Sequence, residues 1–523
     1  MEKWANIRIF WIVVVLLLLF TRIPLMAEYF SIDNVNLAFS LEKFDPRIHQ
    51  PQPPGYPLFV LFARLVHFVL RDVWLTFAAI SILASALSLW VAYLLGRRMF
   101  SPWAGAAAAC LLLVNPAIWQ ADIDGPLRPF LALFSLLTAY CCWRCWNGEK
   151  RFAMWGAIAL GVGSGFRPDL LAFLFPLWLV SSWIGTRSLR AILPAAAVLC
   201  EIVVVWVGAT ILAMGGFETF KGIMTSYVAD WSLSSAADPG STVLEWLRHK
   251  NRLFVWNGIG VLTWIWAVPF YLYNRDRQPL GIGRPAFFAL WILPGMTLQA
   301  LTHFASPGHL LFSIAAVCVF GGYVLSSVPS RNVMTGAALL LNAILFLNVL
   351  GLPDVTGKAG GPSLKNALHV GIYESSVGFV RHIDGIARDG LAEIEKFTPL
   401  DRPSVIITTD SYSKKWFLNW RIGRYYLPKR DFWVLYQPPG KKRVERIRRD
   451  TVLETRSSPL RIPVFREGRI LFLLEPDGAF LAELARSVPL QGGKFVSYVD
   501  ITPGSPAIKV DGFEIVPSPV DGK

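Results

Sequence analysis

Acidic residues stand beside long apolar segments at two places in the first third of the chain. Asp33 follows the first apolar run, and Asp122 and Asp124 are separated by one residue in a short polar stretch between two later runs. A carboxylate in such a place can act as a general base that removes the proton of a hydroxyl group. Two neighbouring carboxylates also provide the oxygen ligands that Mg²⁺ and Mn²⁺ prefer.

Each acidic site also has a structural explanation. Val35, Ala38, Phe39 and Leu41 follow Asp33 at the spacing of an amphipathic helix, which Asp33 could simply cap. The spacing favours neither capping nor catalysis. An acidic pair in a polar loop is more often solvated than functional, so the residues of the second stretch are a weak signal by themselves.

Basic residues near the ends of apolar runs are candidates for binding an anion. Arg128 follows the acidic pair, and His303 and His309 flank Ser306-Pro307-Gly308 between two later runs. Arg and His donate charge-assisted hydrogen bonds to phosphate oxygens, although a single loop histidine is usually structural. The run Lys441, Lys442, Arg443, Arg446, Arg448 and Arg449 is predicted to be a solvated helix face more readily than an anion site.

Two further ionisable groups lie within the apolar part of the chain. Arg167 and Asp169 are separated by one proline and are expected to form a local ion pair. Glu201 falls near the middle of an apolar run, where an ionisable side chain is costly and indicates a function.

The composition requires a lipid environment for most of the chain. Of 523 residues, 54% are hydrophobic and 16% are charged, and the mean hydropathy is +0.46. Long apolar runs continue to Leu352, and the remainder has a mixed pattern. The sequence therefore predicts a membrane domain over residues 1–352 and a soluble α/β domain over residues 353–523.

About eleven runs are long enough to span a bilayer, and they centre near residues 20, 84, 112, 137, 159, 177, 201, 263, 294, 318 and 342. Clusters of Lys and Arg follow the even-numbered runs, on the same side as Lys3 and Arg8. This positive-inside pattern predicts a multi-pass protein of the cell (inner) membrane with a cytoplasmic amino terminus and an extracytoplasmic, periplasmic tail. Residues 56–70 are predicted to form an interfacial helix on the outer surface.

The tail is predicted to contain three buried strands, near residues 404–409, 432–436 and 470–474. Helix-like stretches at residues 411–426, 441–449 and 479–487 alternate with them. The net charge of +14 is explained by cytoplasmic loops, so no nucleic acid partner is expected. The sequence has no phosphate-binding loop or dinucleotide fingerprint, so direct use of ATP or NAD is not indicated.

Several of these features together resemble the GT-C superfamily, whose members are membrane glycosyltransferases that use lipid-linked sugars. They are Asp33 after the first run, the stretch His-Gln-Pro-Gln-Pro-Pro-Gly-Tyr-Pro-Leu from His49 to Leu58, the acidic pair, and a many-helix body with an outer tail. The Pro-Pro-Gly-Tyr-Pro piece is most similar to the protein O-mannosyltransferase and aminoarabinose transferase branches.

The resemblance implies an inverting transfer of a sugar from a polyprenyl-phosphate donor to an acceptor hydroxyl of a glycan, lipid or protein. Asp33 matches the acid of the first outer loop, which implies a general base, and Asp122 and Asp124 match the second-loop acidic motif. The superfamily includes enzymes with and without a metal, so a divalent cation (Mg²⁺ or Mn²⁺) at that pair stays open. Arg128, His303, His309 and His49 are the candidates for binding the donor phosphate. The three carboxylates are expected to meet at one membrane edge.

Three other kinds of protein remain as alternatives. A transporter or flippase is favoured by Glu201 and by the number of spans, although no internal repeat is found. A polysaccharide polymerase or ligase would rely on Arg and His in an outer loop. A non-catalytic assembly partner is the third.

Overall fold

The computed structural model describes residues 2–233, 243–274, 280–301, 307–352, 364–410, 417–437, 442–476 and 478–517. It is helical through residue 397 and combines strands with short helices thereafter. The predicted fold class, a polytopic α-helical membrane protein with a carboxyl-terminal α/β domain, is confirmed. The chain forms two compact units, residues 1–27 with 40–380 and residues 28–39 with 381–523.

In chain order the helices are α1 (Glu2–Arg22), α2 (Ile32–Glu42), α3 (Pro57–Leu70), α4 (Val73–Met99), α5 (Pro102–Val114), α6 (Pro116–Asp124), α7 (Pro129–Trp146), α8 (Phe152–Phe166), α9 (Asp169–Thr186), α10 (Leu189–Ala213), α11 (Phe217–Leu233), α12 (Val243–Leu262), α13 (Val268–Tyr273), α14 (Gly283–Leu301), α15 (Leu311–Ser326), α16 (Arg331–Phe346), α17 (Leu364–Glu374), α18 (Val377–Phe397), α19 (Trp420–Tyr426) and α20 (Ala479–Ser487). Short 3₁₀ turns cover Ile23–Leu25, Pro46–Ile48, Ile265–Ala267 and Pro307–Leu310.

Local sequence explains where the main helices of the first unit begin. The Asp72 carboxylate accepts from the backbone N–H of Leu75 and caps α4, and Ser101 caps α5 in the same way. Asn115 caps α6, which has a proline at its first position. These are favoured residues for helix starts, because they accept from backbone N–H groups that have no partner inside the helix.

The membrane-spanning helices follow the predicted apolar runs. Among the described residues, five helices are long and apolar enough to span a membrane, and two bent pairs bring the number up to seven. The bent pairs are α5 with α6, at 53°, and the carboxyl-terminal half of α12 with the helical turns that follow it, at 57°. Each of the eleven predicted centres falls in a helix or in a bent pair, while the full count of eleven spans stays a prediction.

Close helix packing in the first unit depends on small residues. A Cβ atom at Gly322 of α15 would lie 2.5 Å from the carbonyl oxygen of Ala104 in α5. A Cβ atom at Gly105 of α5 would lie 2.4 Å from the Tyr93 carbonyl oxygen in α4. The three helices therefore pack backbone against backbone, as small residues allow in membranes. This packing supports the bent α5–α6 pair that carries Asp122.

The second unit contains two sheets within the described residues. Its strands are β1 (Ser404–Thr409), β2 (Asp431–Tyr436), β3 (Arg443–Arg448), β4 (Thr451–Arg456), β5 (Arg461–Val464), β6 (Gly468–Leu473), β7 (Gln491–Gly492), β8 (Ser497–Ile501), β9 (Ile508–Val510) and β10 (Phe513–Pro517). The larger sheet has the order β4-β3-β2-β1-β6-β8-β7, and the smaller has the order β5-β10-β9. β1 pairs in parallel with both β2 and β6, so the three central strands are parallel.

The predicted elements of the tail have mixed outcomes. The three predicted strands are β1, β2 and β6, and the helix over 479–487 is α20. The predicted helix over 411–426 is present from Trp420, and residues 411–416 lie outside the described residues.

Lys441 lies outside the described residues, and for the rest the prediction of a helix over residues 441–449 is wrong, because Arg443–Arg448 form strand β3. Its buried residues are Val444 and Ile447, and its arginines face a partner strand, where Arg446 and Arg448 both bind Asp431. The pairing of β3 with β2 decides the conformation of this segment, and the local sequence does not predict that pairing.

The two compact units divide the chain differently from the predicted boundary at residue 352. Helix α17 and the first residues of α18 belong to the first unit, and residues 28–39 belong to the second. Residues 353–363 lie outside the described residues. The segment that contains Asp33 is therefore part of the unit that contains the tail.

Candidate functional site

Asp122 lies in the last turn of α6, and the stretch that the sequence suggests is a polar loop is helical instead. The cap at Asn115 and the proline at position 116 start a helix that continues to Asp124. The side chain of Asp122 is buried, with 1% of its surface exposed. An ionised group at this depth needs a partner of opposite charge.

Arg22 is that partner, at the end of α1. Its Nη2 and Nε atoms lie 2.8 and 3.0 Å from Oδ2 of Asp122, and Ser85 donates to the other carboxylate oxygen. Arg22 also donates to the Leu113 carbonyl oxygen at 2.6 Å, and its guanidinium carbon lies 4.8 Å from the centre of the Trp119 ring. The pair is therefore buried and hydrogen-bonded on both sides.

Asp124 and Arg128 form a second ion pair, more open than the first. Arg128 Nη1 lies 3.0 Å from Oδ2 of Asp124, and both side chains are about one-fifth exposed. A Cβ atom at Gly308 would lie 2.5 Å from Cδ of Arg128, so only a glycine leaves room for this arginine. The short turn Pro307–Leu310, which contains His309, therefore lies directly beside Arg128. Of the other phosphate candidates, His303 lies outside the described residues.

The two carboxylates of the acidic pair contact different partners. Residues two apart on a helix face different directions, and Asp122 and Asp124 bind different arginines. Across the described ranges, no group of three or more His, Cys, Asp or Glu residues is placed to hold a metal ion. The predicted role of Mg²⁺ or Mn²⁺ at this pair stays a prediction, and no catalytic step is derived through a metal.

The loop that contains His49 is closed by a bridge between Asp45 and Gln50. Asp45 accepts from Arg47 Nε at 2.7 Å and lies 3.5 Å from Lys43 Nζ. Burial alone would raise the pKa of Asp45, but the bond from Arg47 and the nearby cations lower it below its usual range. His49 has a left-handed backbone conformation at the end of the turn Pro46–Ile48 and is half-buried.

The predicted ion pair between Arg167 and Asp169 is confirmed, with a distance of 2.9 Å. The guanidinium carbon of Arg167 also lies 5.7 Å from the centre of the Tyr56 ring. Tyr56 is the tyrosine of the Pro-Pro-Gly-Tyr-Pro piece and begins α3. The motif is thus held against the connection between α8 and α9, a contact that the sequence alone does not predict. Glu201 is exposed on the surface of α10.

Asp33 lies in the first turn of α2 in the second unit. The predicted helix is confirmed, but residues 34–41 are all buried, the polar Asn34, Asn36 and Ser40 among them, so α2 does not show the one-sided burial of an amphipathic helix. Asp33 is exposed. Within the described part of the chain, its carboxylate makes no hydrogen bond or ion pair. Asp33 is the second residue of α2, where the helix dipole favours a negative charge without a capping bond. Asp33 and Asp122 belong to different compact units, so their expected meeting at one membrane edge stays a prediction.

Part of the chain matches a known protein family. The family described as dolichyl-phosphate-mannose-protein mannosyltransferase matches residues 50–209 of this chain, which is less than half of its length. The matched range contains the Pro-Pro-Gly-Tyr-Pro piece, both acidic residues of α6 and Arg128, and it begins after Asp33. A search among curated protein sequences found no significant match.

Two solved structures match almost the whole chain. The crystal structure of ArnT from Cupriavidus metallidurans bound to undecaprenyl phosphate has a TM-score of 0.57 and 13% identity, and the match covers 95% of this chain and 98% of that chain. The same protein in the apo state has a TM-score of 0.53 and 12% identity, with 96% and 98% covered. The chain therefore has the fold of ArnT, and the GT-C-like fold and multi-pass membrane character predicted from the sequence are confirmed.

Proposed function

We propose that this protein is a membrane glycosyltransferase that moves a sugar from a polyprenyl-phosphate donor to the hydroxyl group of an acceptor. The observation that carries this proposal is the match of the whole fold to ArnT, a protein crystallised with undecaprenyl phosphate. The family match over residues 50–209 supports it independently. The acceptor is a glycan, a lipid or a protein.

Arg128 and His309 are proposed to bind the donor phosphate. Arg128 is partly exposed and is oriented by Asp124, and the turn containing His309 lies beside it. The leaving group is a phosphate ester that departs as an anion, so a fixed positive charge stabilises the transition state. His49 and His303 are further candidates for the same role. The polyprenyl chain would lie along the apolar surface of the spanning helices.

Asp33 is proposed to be the general base. Its carboxylate takes the proton of the acceptor hydroxyl while the hydroxyl oxygen attacks the anomeric carbon, and the bond from that carbon to the phosphate oxygen breaks. The configuration of the anomeric carbon is inverted, and polyprenyl phosphate leaves. The exposed position of Asp33, without a partner among the described residues, supports this role. General-base help of this kind contributes about 10² to 10⁴-fold to the rate.

The reaction is proposed to take place on the extracytoplasmic face of the cell (inner) membrane. The distribution of Lys and Arg predicts a cytoplasmic amino terminus, and this orientation places α2 and the tail outside. Nucleotide sugars are scarce there, so a lipid-linked sugar is the suitable donor.

The test uses the purified protein in vesicles with synthetic polyprenyl-phosphate sugars, and the new glycosidic bond is measured by mass spectrometry. Asp33→Asn is expected to lose at least about 100-fold in kcat, the lower end of general-base catalysis. Glu42→Gln is the matched control, because Glu42 is an exposed carboxylate at the other end of α2.

Other outcomes of this test decide between the alternatives. Full activity of Asp33→Asn would remove Asp33 from the role of base. Movement of the lipid across the vesicle membrane without a new glycosidic bond would favour a transporter or flippase. Growth of a repeating polymer on the acceptor would favour a polymerase.

A further inference from the structure

The backbone that leads into α2 is bound by side chains from the rest of the second unit. The N–H groups of Glu28 and Tyr29 both donate to Oδ1 of Asp384, each at 3.0 Å. The next N–H group, that of Phe30, donates to the hydroxyl oxygen of Tyr426 at 2.8 Å. Three consecutive backbone donors just before α2 are therefore held by two side chains from distant parts of the sequence.

Asp384 is a specific acceptor for this segment. It lies on α18 with 1% of its side chain exposed, and its second oxygen, Oδ2, accepts from Arg381 at 2.9 Å. Burial raises the pKa of Asp384 above its usual range, although the two backbone N–H groups and Arg381 oppose this shift. Without those N–H groups, the buried Oδ1 atom would lose its partners, which is costly.

Aromatic contacts from α19 hold the same segment on either side of Asp33. The Tyr425 ring lies 5.7 Å from the Phe30 ring, just before α2, and 5.4 Å from the Phe39 ring, near its end. The Arg424 guanidinium carbon lies 4.6 Å from the Phe39 ring centre. Ring pairs and cation–π contacts at these distances are attractive and restrict the positions of the groups that make them. The beginning and the end of α2 are thus both fixed against α19.

We infer that Asp384 and Tyr426 are positioning residues, which fix the start of α2 and through it the carboxylate of Asp33. This inference rests on the proposed function. Asp33 is exposed and makes no hydrogen bond among the described residues, so its position is set by the helix that carries it. Phe30, the last of the three held residues, is three positions before Asp33. A displacement of about 1 Å of a reacting group can reduce a rate by about 100-fold.

A positioning role has a different kinetic signature from a role in folding or in donor binding. The candidate phosphate residues Arg128 and His309 belong to the first unit, and neither Asp384 nor Tyr426 is among them. A less ordered α2 therefore lowers kcat and leaves the KM for the donor unchanged. A folding defect would instead lower the amount of active protein and the thermal stability of the tail.

The experiment combines hydrogen–deuterium exchange with kinetics on the full chain, using Asp384→Asn, Tyr426→Phe and the control Asp389→Asn. Asp389 is an exposed residue of α18 whose side chain lies 3.7 Å from Lys494. In Asp384→Asn the amides of residues 28–30 are expected to exchange faster, with exchange in the tail strands unchanged. The kcat is expected to fall by about 10 to 100-fold, with the donor KM within about twofold of the normal value. Tyr426→Phe removes a single acceptor and is expected to show the same pattern more weakly.

Three results would overturn the inference. Unchanged exchange at residues 28–30 in both variants would show that Asp384 and Tyr426 do not hold the segment. Faster exchange with a normal kcat would show that the order of this segment does not matter for transfer. A rise in the donor KM with a normal kcat would place these residues in donor binding. Absence of transfer by the unmodified protein would instead overturn the proposed function, while the exchange data would still decide whether the two side chains hold α2.

Discussion

Replacing Arg22 of the buried Arg22–Asp122 pair by methionine is expected to destabilise the membrane domain strongly. Both side chains are 1% exposed, so the remaining charge would stay buried. After Arg22→Met, the Asp122 carboxylate keeps the hydrogen bond from Ser85 and loses its cation. Breaking a buried pair in this way costs about 3–5 kcal/mol.

The reverse change, Asp122→Asn, is expected to be milder. The amide oxygen can still accept from Arg22, and the guanidinium keeps the Leu113 carbonyl oxygen and the Trp119 ring. The loss is that of a charged hydrogen bond, about 1.5–3 kcal/mol. The double variant Arg22→Met/Asp122→Asn buries no unpaired charge. Its loss of unfolding free energy should therefore be smaller than the sum of the two single losses by at least about 1–2 kcal/mol.

Equilibrium unfolding in mixed micelles, followed by circular dichroism, measures these free energies. The control is Arg98→Gln, because Arg98 is 55% exposed and lies 3.3 Å from Glu149, which keeps its ion pair with Arg144. This change should alter the free energy by less than about 1 kcal/mol. Strictly additive single costs, or a cost of less than about 1 kcal/mol for Arg22→Met, would refute the reasoning from burial.

Two other predictions concern Arg128 and the tail. Gly308→Ala would place a Cβ atom 2.5 Å from Cδ of Arg128 and displace it from Asp124, so the donor KM should rise by about tenfold, as for one lost charged hydrogen bond. Gly336→Ala, whose Cβ meets nothing within 4 Å, should leave the KM unchanged, and an unchanged KM in Gly308→Ala would remove Arg128 from donor binding. Burial by itself would raise the pKa of Asp431, but the hydrogen bonds that Arg448 and Arg446 donate to its carboxylate lower this pKa below its usual range. The ionised Asp431 therefore stabilises the folded state above pH about 4, which is the pKa of an aspartate in the unfolded chain. This contribution to the free energy of unfolding is lost as the pH falls through the lower pKa of the folded state. In thermal melts, the melting temperature of Asp431→Asn should fall less on acidification than that of the unmodified chain. Equal decreases in melting temperature would contradict the role of the two arginines.

The sequence predicts features that depend on local periodicity. The apolar spacing after Asp33 predicts α2, and the short apolar runs predict β1, β2 and β6. The same reasoning fails for residues 441–449, where Val444 and Ile447 fit either a helix or a strand. The pairing of β3 with β2, which decides between them, lies outside the local pattern.

The parts of the site that the sequence does not predict are long-range contacts. Arg22 and Asp122 are 100 positions apart, and each alone is an ordinary charged residue at the end of an apolar run. The bonds from Glu28 and Tyr29 to Asp384 use backbone N–H groups, so the identities of the donor residues leave no signal at all. A short polar stretch that contains two aspartates looks like a loop, although the cap at Asn115 makes it helical.

The most direct test of the central claim is the conversion of the donor by the purified protein. Incubation with a polyprenyl-phosphate sugar and an acceptor should release polyprenyl phosphate and form glycosylated acceptor in equal amounts, with the configuration of the anomeric carbon inverted in the product. Unchanged donor across a panel of lipid-linked sugars, or a product of retained configuration, would contradict the account.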